Sequence, residues 1–136
     1  DVRLIGPVGK AAVMKLALNQ LIAAETAAFA LSLGLVRRGG VEVDTFMAML
    51  RKSALYAPTF EKKLPRLAER NYAQPNFSTR HLLKDVELTL AAAETAQLSP
   101  GGLPGVRSLL LDTIAMGLGD VDYSALYERV DPATRG

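Results

Sequence analysis

The chain contains no cysteine, no tryptophan and a single histidine. Without cysteine there is no disulfide framework, no Cys-ligated zinc and no thiol catalysis. One histidine excludes a His-rich metal site, and no resident metal is expected. Aromatic residues are only 6% of the chain, and among strand-favouring residues only Val and Ile appear in any number. What is abundant is helix-forming: 20 Ala and 22 Leu in 136 residues, the two with high intrinsic helix propensity. Apolar residues make up 49%, enough for a core. This composition points to an all-α domain and against a β-sandwich or a doubly wound sheet. The length suits one domain, or one domain of a longer protein.

Charge of one sign is also scarce. Sixteen Lys and Arg face fourteen Asp and Glu, a net charge of +2. The basic pairs Arg37-Arg38, Arg51-Lys52 and Lys62-Lys63 are dispersed, whereas nucleic-acid binders concentrate them on one face. Nucleic acid is therefore not expected as a partner. The richest apolar stretch, Ala11 to Val36, carries Lys15, Asn19, Gln20 and Glu25, and such residues are costly inside a bilayer. It reads as a buried helix of a cytoplasmic, non-membrane protein. No secretory signal is evident, and a chain opening at Asp1 instead of Met reads as processed or as a fragment.

Glycine and proline punctuate the rest. Residues 1–9 read as a linker with a turn at Gly6-Pro7-Val8-Gly9. A helix is expected from Lys10 to about Val36, closed by Arg37, Arg38, Gly39 and Gly40. About 27 residues make a helix of about 40 Å, long enough to be central, with others wrapped around it. Asp44 is expected to cap a helix over Thr45 to Ser53. Pro58 to Arg70 follows, with Pro65 bending or splitting it. Ser78 or Thr79 caps His81 to about Gln97. Pro104 opens a fifth helix that ends near Met116. Asp122 caps a last one, Tyr123 to Val130. Six helices make one helical domain over residues 10–130, and 131–136 is a tail.

Nucleotide-binding signatures are missing. Gly9-Lys10 fails as a phosphate loop, because Leu4 stands at its first glycine and Ala11 follows the lysine. Gly-x-Gly-x-x-Gly occurs nowhere, so the chain is not expected to hold a dinucleotide by itself. The turn at Gly6 to Gly9 is either an anion-attracting helix start or an ordinary turn. Lys15 and Asn19 lie four apart on one helix face. Among apolar neighbours, a lysine must snorkel, find a partner or lose proton affinity by desolvation. Spacing alone favours the snorkelling lysine. Desolvation would instead make Lys15 a proton donor and acceptor near neutrality, with Asn19 orienting a hydroxyl or carboxylate. Lys84-Asp85 reads as a solvated pair, His81 as a packing or capping histidine, and Glu25-Thr26 as a buried, satisfied polar pair.

Three stretches taken together resemble a known family. Gly6-Pro7-Val8-Gly9-Lys10-Ala11-Ala12-Val13-Met14-Lys15-Leu16-Ala17-Leu18-Asn19 resembles the opening of the C-terminal domain of β-hydroxyacid dehydrogenases. That family includes 3-hydroxyisobutyrate dehydrogenase, tartronate semialdehyde reductase and 6-phosphogluconate dehydrogenase. Phe77 to Leu88, with Lys84-Asp85-Val86, is similar to its Phe-x-x-x-x-x-x-Lys-Asp-Leu motif. Asp122-Tyr123-Ser124-Ala125-Leu126 is similar to its closing Asp-x-Ser-Ala-Leu. The resemblance runs through nearly the whole chain in order and spacing.

The resemblance implies an all-α C-terminal domain of an NAD- or NADP-dependent oxidoreductase acting on a small β-hydroxyacid and its aldehyde or keto form. It implies Lys15 as general acid/base and Asn19 as the residue that positions the substrate hydroxyl. It implies Lys84 reaching the nicotinamide cofactor, with Phe77 beside it. The long helix would provide much of a homodimer contact. An N-terminal nucleotide-binding domain of the same enzyme would be the other partner, and this chain alone is expected to be inactive. Three positions depart from the family pattern: Ala11 replaces a glycine, Leu18 stands where many members carry a second Asn, and Val86 conservatively replaces the Leu after Lys84-Asp85. Imine-reducing relatives replace the lysine, so Lys15 favours a hydroxyacid. The competing expectation is a helical dimerisation or interaction module without chemistry.

Overall fold

The computed structural model describes residues 9–133. The linker and its turn at Gly6 to Val8 therefore lie outside the described residues, as does the tail beyond Ala133. The described residues form helices and no named strand; one isolated antiparallel bridge joins Ser78 and Asp122. The all-α class and the six-helix count are as expected. The order is α1 (Lys10–Arg38), α2 (Val43–Arg51), α3 (Pro58–Glu69), α4 (Thr79–Thr95), α5 (Leu103–Ala115), a 3-10 turn (Tyr123–Leu126) and α6 (Tyr127–Val130).

Helix α1 runs 29 residues, about 44 Å, two residues past the expected end. Arg37 and Arg38 occupy its last turn and Gly39 follows, where cations offset the carbonyl end of the dipole. It was expected to be buried all round, and it is not. Its core face carries Ala23, Thr26, Phe29, Ala30 and Leu33 against the other helices. The opposite face leaves Val13, Leu21, Leu31 and Leu35 exposed. By length and apolarity α1 alone among the described helices meets the measure of a membrane span. Here it packs on α3 and α4 along one side.

Helix boundaries differ from expectation for local reasons. Helix α2 starts at Val43, so Asp44 sits in its first turn and does not cap it; there it favours the N-terminal end of the dipole. Helix α3 continues through Pro65 without a split. Pro65 lies on the exposed side, so the lost hydrogen bond falls toward water while Lys63 and Leu67 on the other side are buried. Ser78 caps α4 by accepting from the His81 main-chain N–H at 3.2 Å. The last expected helix divides into a 3-10 turn and a single α turn, with Asp122 capping the first.

The core gathers Leu33, Met47, Leu67, Leu82, Val86, Leu110, Leu126 and Tyr127, all nearly inaccessible. Phe60 stacks on Phe29 with ring centroids 4.7 Å apart. A charged pair lies within this apolar setting: Lys63 is 2% exposed and Asp122 0%. The Lys63 ammonium lies 3.0 Å from both Asp122 oxygens and 4.3 Å from the Tyr123 ring centroid. Removing one partner of such a pair strands a charge in low dielectric. The Lys63→Met variant is expected to lose about 3–5 kcal/mol of unfolding free energy, read by urea denaturation at neutral pH. Lys63→Met combined with Asp122→Asn is expected to recover much of that loss.

Candidate functional site

The site is built from the amino-terminal half of α1, the start of α4 and the segment that leads into it. Lys15 and Asn19 share the α1 face that looks toward α4, as their spacing requires. Both meet Asp85, which is 4% exposed. Asn19 donates from Nδ2 to Asp85 Oδ2 at 2.7 Å, and Lys15 Nζ lies 3.7 Å from Asp85 Oδ1. The pair at Lys84-Asp85 is therefore not solvated as a unit: Lys84 is exposed and Asp85 is buried. Leu82, Leu83 and Val86 are buried around it, so the helix turn that buries them carries Asp85 inward as well.

The Lys15 side chain is 63% exposed. Its head reaches water beside the buried Asp85 carboxylate. Asn19 is oriented: its Nδ2 is spent on Asp85, leaving Oδ1 as an acceptor for a ligand hydroxyl or N–H.

Phe77 is half-buried just before α4 and packs edge-on to Tyr123, 6.4 Å between centroids. It lines a cleft of about 220 Å³ together with Asn19, Ile22, Lys62, Lys63, Asn76, Leu82 and Tyr123. Asn19 and Phe77 are thus brought to one cavity. Neither Lys15 nor Lys84 lines it; Lys15 meets Asn19 only through their shared partner Asp85. His81 hydrogen-bonds through Nδ1 to Ser78 Oγ at 2.9 Å, a local capping role. Of the Glu25-Thr26 pair, Thr26 is buried and its Oγ1 has no hydrogen-bond partner among the described residues. Among the described residues no group of acidic or histidine side chains is arranged to hold a metal.

The segment carrying Asn76 and Phe77 is held by Asp122 and its neighbours. The Asp122 main-chain N–H donates to the Tyr72 carbonyl at 2.8 Å and that of Tyr123 to the Phe77 carbonyl at 3.0 Å. The Asn76 main-chain N–H donates to Asp122 Oδ1 at 3.3 Å. Ser124 adds its main-chain N–H, at 3.0 Å, and its hydroxyl. Burial pushes the Asp122 carboxyl up, but the hydrogen bonds from Ser124 and Lys63 outweigh it and hold it below its ordinary range. Burial acts the opposite way on Lys63: it lowers the ammonium's proton affinity, and Asp122 only partly offsets this. Asp131 resembles Asp122. Burial raises it, but Tyr127, Arg38 and Arg70 together hold it low. Sequence reading did not identify Asp85, Lys63 or the Lys63–Asp122 pairing.

The signs of these shifts set the acid limit of the fold. Asp122 and Asp131 hold their protons less tightly folded than unfolded. Their contribution is fully present above the unfolded carboxylate range near pH 4 and is lost as pH falls through the lower folded values. Unfolding free energy measured by denaturant from pH 6 down to pH 2 is expected to fall most steeply below about pH 4. The Asp122→Asn variant is expected to show a shallower fall over the same range. An equal slope in both proteins would contradict this account.

Residues 9–130 match the protein family described as "NAD-binding of NADP-dependent 3-hydroxyisobutyrate dehydrogenase". The chain is similar to glyoxylate/succinic semialdehyde reductase 1 of Arabidopsis thaliana, 32% identical over 126 residues, 93% of this chain and 43% of the relative. It is similar to the chloroplastic reductase 2 of that plant, 29% identical over 95% of this chain and 36% of the relative. The chain thus spans less than half the length of these relatives. Its fold is similar to a 3-hydroxyisobutyrate dehydrogenase from Salmonella typhimurium, with a TM-score of 0.78, 20% identity, and coverage of 86% of this chain and 41% of the other. The corresponding Mycobacterium tuberculosis enzyme with L-serine gives a TM-score of 0.77, 19% identity, and coverage of 90% and 43%.

Proposed function

Since the chain belongs to the NAD-binding family of NADP-dependent 3-hydroxyisobutyrate dehydrogenase, we propose that it is the helical C-terminal domain of an NAD(P)-dependent dehydrogenase. Its substrate class is a small β-hydroxyacid and the matching aldehyde or keto acid. The observation that carries this is the single buried Asp85 carboxylate shared by Asn19 and Lys15. It presents an ammonium and an oriented amide side by side, the two groups that proton transfer at a substrate hydroxyl requires.

In this reading the nicotinamide cofactor, when bound, supplies or accepts the hydride. The chain's own groups manage the proton and the fit. Lys15 gives a proton to the carbonyl oxygen in reduction and takes it from the hydroxyl in oxidation. Asp85 keeps the Lys15 ammonium near the cleft and keeps Asn19 turned so that Oδ1 accepts from the substrate hydroxyl. Phe77 offers a flat apolar wall to the nicotinamide ring, and the exposed Lys84 ammonium reaches the cofactor from the rim of α4. The residues fit one wall of a cofactor site, because Phe77 gives an aromatic face to a water-accessible cleft that no acidic side chain lines. They do not form a phosphate cradle, which fits a nucleotide-binding domain elsewhere in the enzyme.

Residues 10–130 then form the domain that closes over the cofactor, and residues 1–9 link it to its partner. The chain's share of its relatives' length supports such a division. Closure over the site excludes water from Lys15, which this domain alone leaves exposed. The uncovered apolar face of α1 suits a homodimer contact: Leu21, Ala24, Ala28, Leu31 and Leu35 alternate at three and four residues, the spacing of helix seams.

The test is Lys15→Ala in the complete enzyme. Turnover is expected to fall at least about a hundredfold, the low end for loss of a general acid, with the thermal midpoint little changed because the side chain is exposed. Undiminished turnover would contradict the general acid/base role of Lys15, whereas a complete protein without turnover would support the competing reading, a helical interaction module in which Lys15 only snorkels.

A further inference from the structure

Helix α3 brings Lys63 and Arg66 to one carboxylate, Asp122, and carries Lys62 next to Lys63. Lys63 takes both of its oxygens at 3.0 Å, and Arg66 Nε stands 3.9 Å away. Arg66 spends its other nitrogens on the carbonyls of Ala73 and Gln74, at 2.6 and 2.7 Å. Two cations thus meet one anion, and the like charges of Arg66 and Lys62 both weaken the hold of Lys63 on its proton. Lys62 is exposed, makes no ion pair among the described residues, and lines the cleft that Asn19 and Phe77 also line. No acidic side chain lines that cleft. Asn76 lines it from a fixed point, because its main-chain N–H is tied to Asp122 at 3.3 Å. At about 220 Å³ the cleft is smaller than the roughly 300–1,000 Å³ typical of drug-sized ligand pockets. It suits a small acid, or the anionic end of a larger ligand.

We propose that Lys62 and Asn76 form an anion subsite in this cleft, which takes a carboxylate or phosphate group of the ligand while Asn19 accepts from its hydroxyl. An anion there relieves the positive excess on α3, and the Lys62 ammonium and Asn76 amide supply the donors. The subsite rests on the charges and the cavity of this chain. That its ligand belongs to the dehydrogenase reaction rests on the reading above.

The test is a ¹H–¹⁵N NMR titration of the 136-residue chain with succinate and, in a separate arm, with inorganic phosphate. Saturable shifts confined to Asn76, Phe77 and their cleft neighbours are expected in at least one arm. The dissociation constant is expected to rise about tenfold in Lys62→Ala, the loss of one charge-assisted hydrogen bond, and to return toward the original value in Lys62→Arg. Response to succinate alone assigns the subsite to a carboxylate, and response to phosphate alone to a phosphate. Wild-type shifts in neither arm, or equal binding by wild type and Lys62→Ala, would overturn the proposal. A complete enzyme without hydroxyacid turnover, beside intact anion binding here, would overturn the dehydrogenase reading and leave the subsite standing.

Discussion

A carboxylate withdrawn from water has to be matched by donors, or it costs several kcal/mol, and this domain meets that constraint twice. Asp122 gathers Lys63 from α3, the Asn76 N–H and both donors of Ser124. It thereby fixes the segment that holds Phe77 at the cleft. Asp85 gathers Asn19 and Lys15 from α1 and so fixes the opposite wall. Apolar packing supplies the bulk of the stabilisation, but packing is not directional. The two carboxylates determine how the walls face each other, because hydrogen bonds have a narrow tolerance in distance and angle.

The helices were legible because glycine and proline mark their ends: Gly39, Pro58, Gly102 and Pro104 all fall where punctuation was expected. Boundaries shifted where two acceptable starts compete, as at Asp44, which serves the first turn of α2 instead of capping it. Pro65 reads as a break, yet the packing on either side of it keeps α3 continuous. The motif residues Lys15, Asn19 and Phe77 were legible by resemblance; Asn19 and Phe77 line one cleft, and Lys15 shares Asp85 with Asn19. Asp85 and Lys63 were not, although a signal existed. Leu82, Asp85, Val86 and Thr89 repeat at three, four and seven, and so do Phe60, Lys63, Leu64 and Leu67. A charge at such a position is carried into the core by its apolar neighbours. Its partner, distant in sequence, is what no local pattern reveals.

Helix α1 shows the same limit from the other side. Its composition reads as buried on every face, and the domain covers only one. The uncovered stripe is a large apolar surface on a helix that also carries the site, and contiguous apolar surface of this kind marks an interaction face. Contact on that stripe and chemistry at Lys15 and Asn19 share one rigid rod of about 44 Å. A partner seated on α1 therefore bears directly on the alignment of the site.

The central claim is that Asp85 makes Lys15 and Asn19 one catalytic unit. A double-mutant cycle on turnover in the complete enzyme, with Asn19→Ala, Asp85→Asn and the combination, measures that coupling directly. The account predicts strong non-additivity: once Asp85 no longer holds the amide, losing Asn19 costs little more, and the double variant is close to the slower single one. Effects that simply multiply would mean that Asn19 acts without Asp85 and would contradict the account.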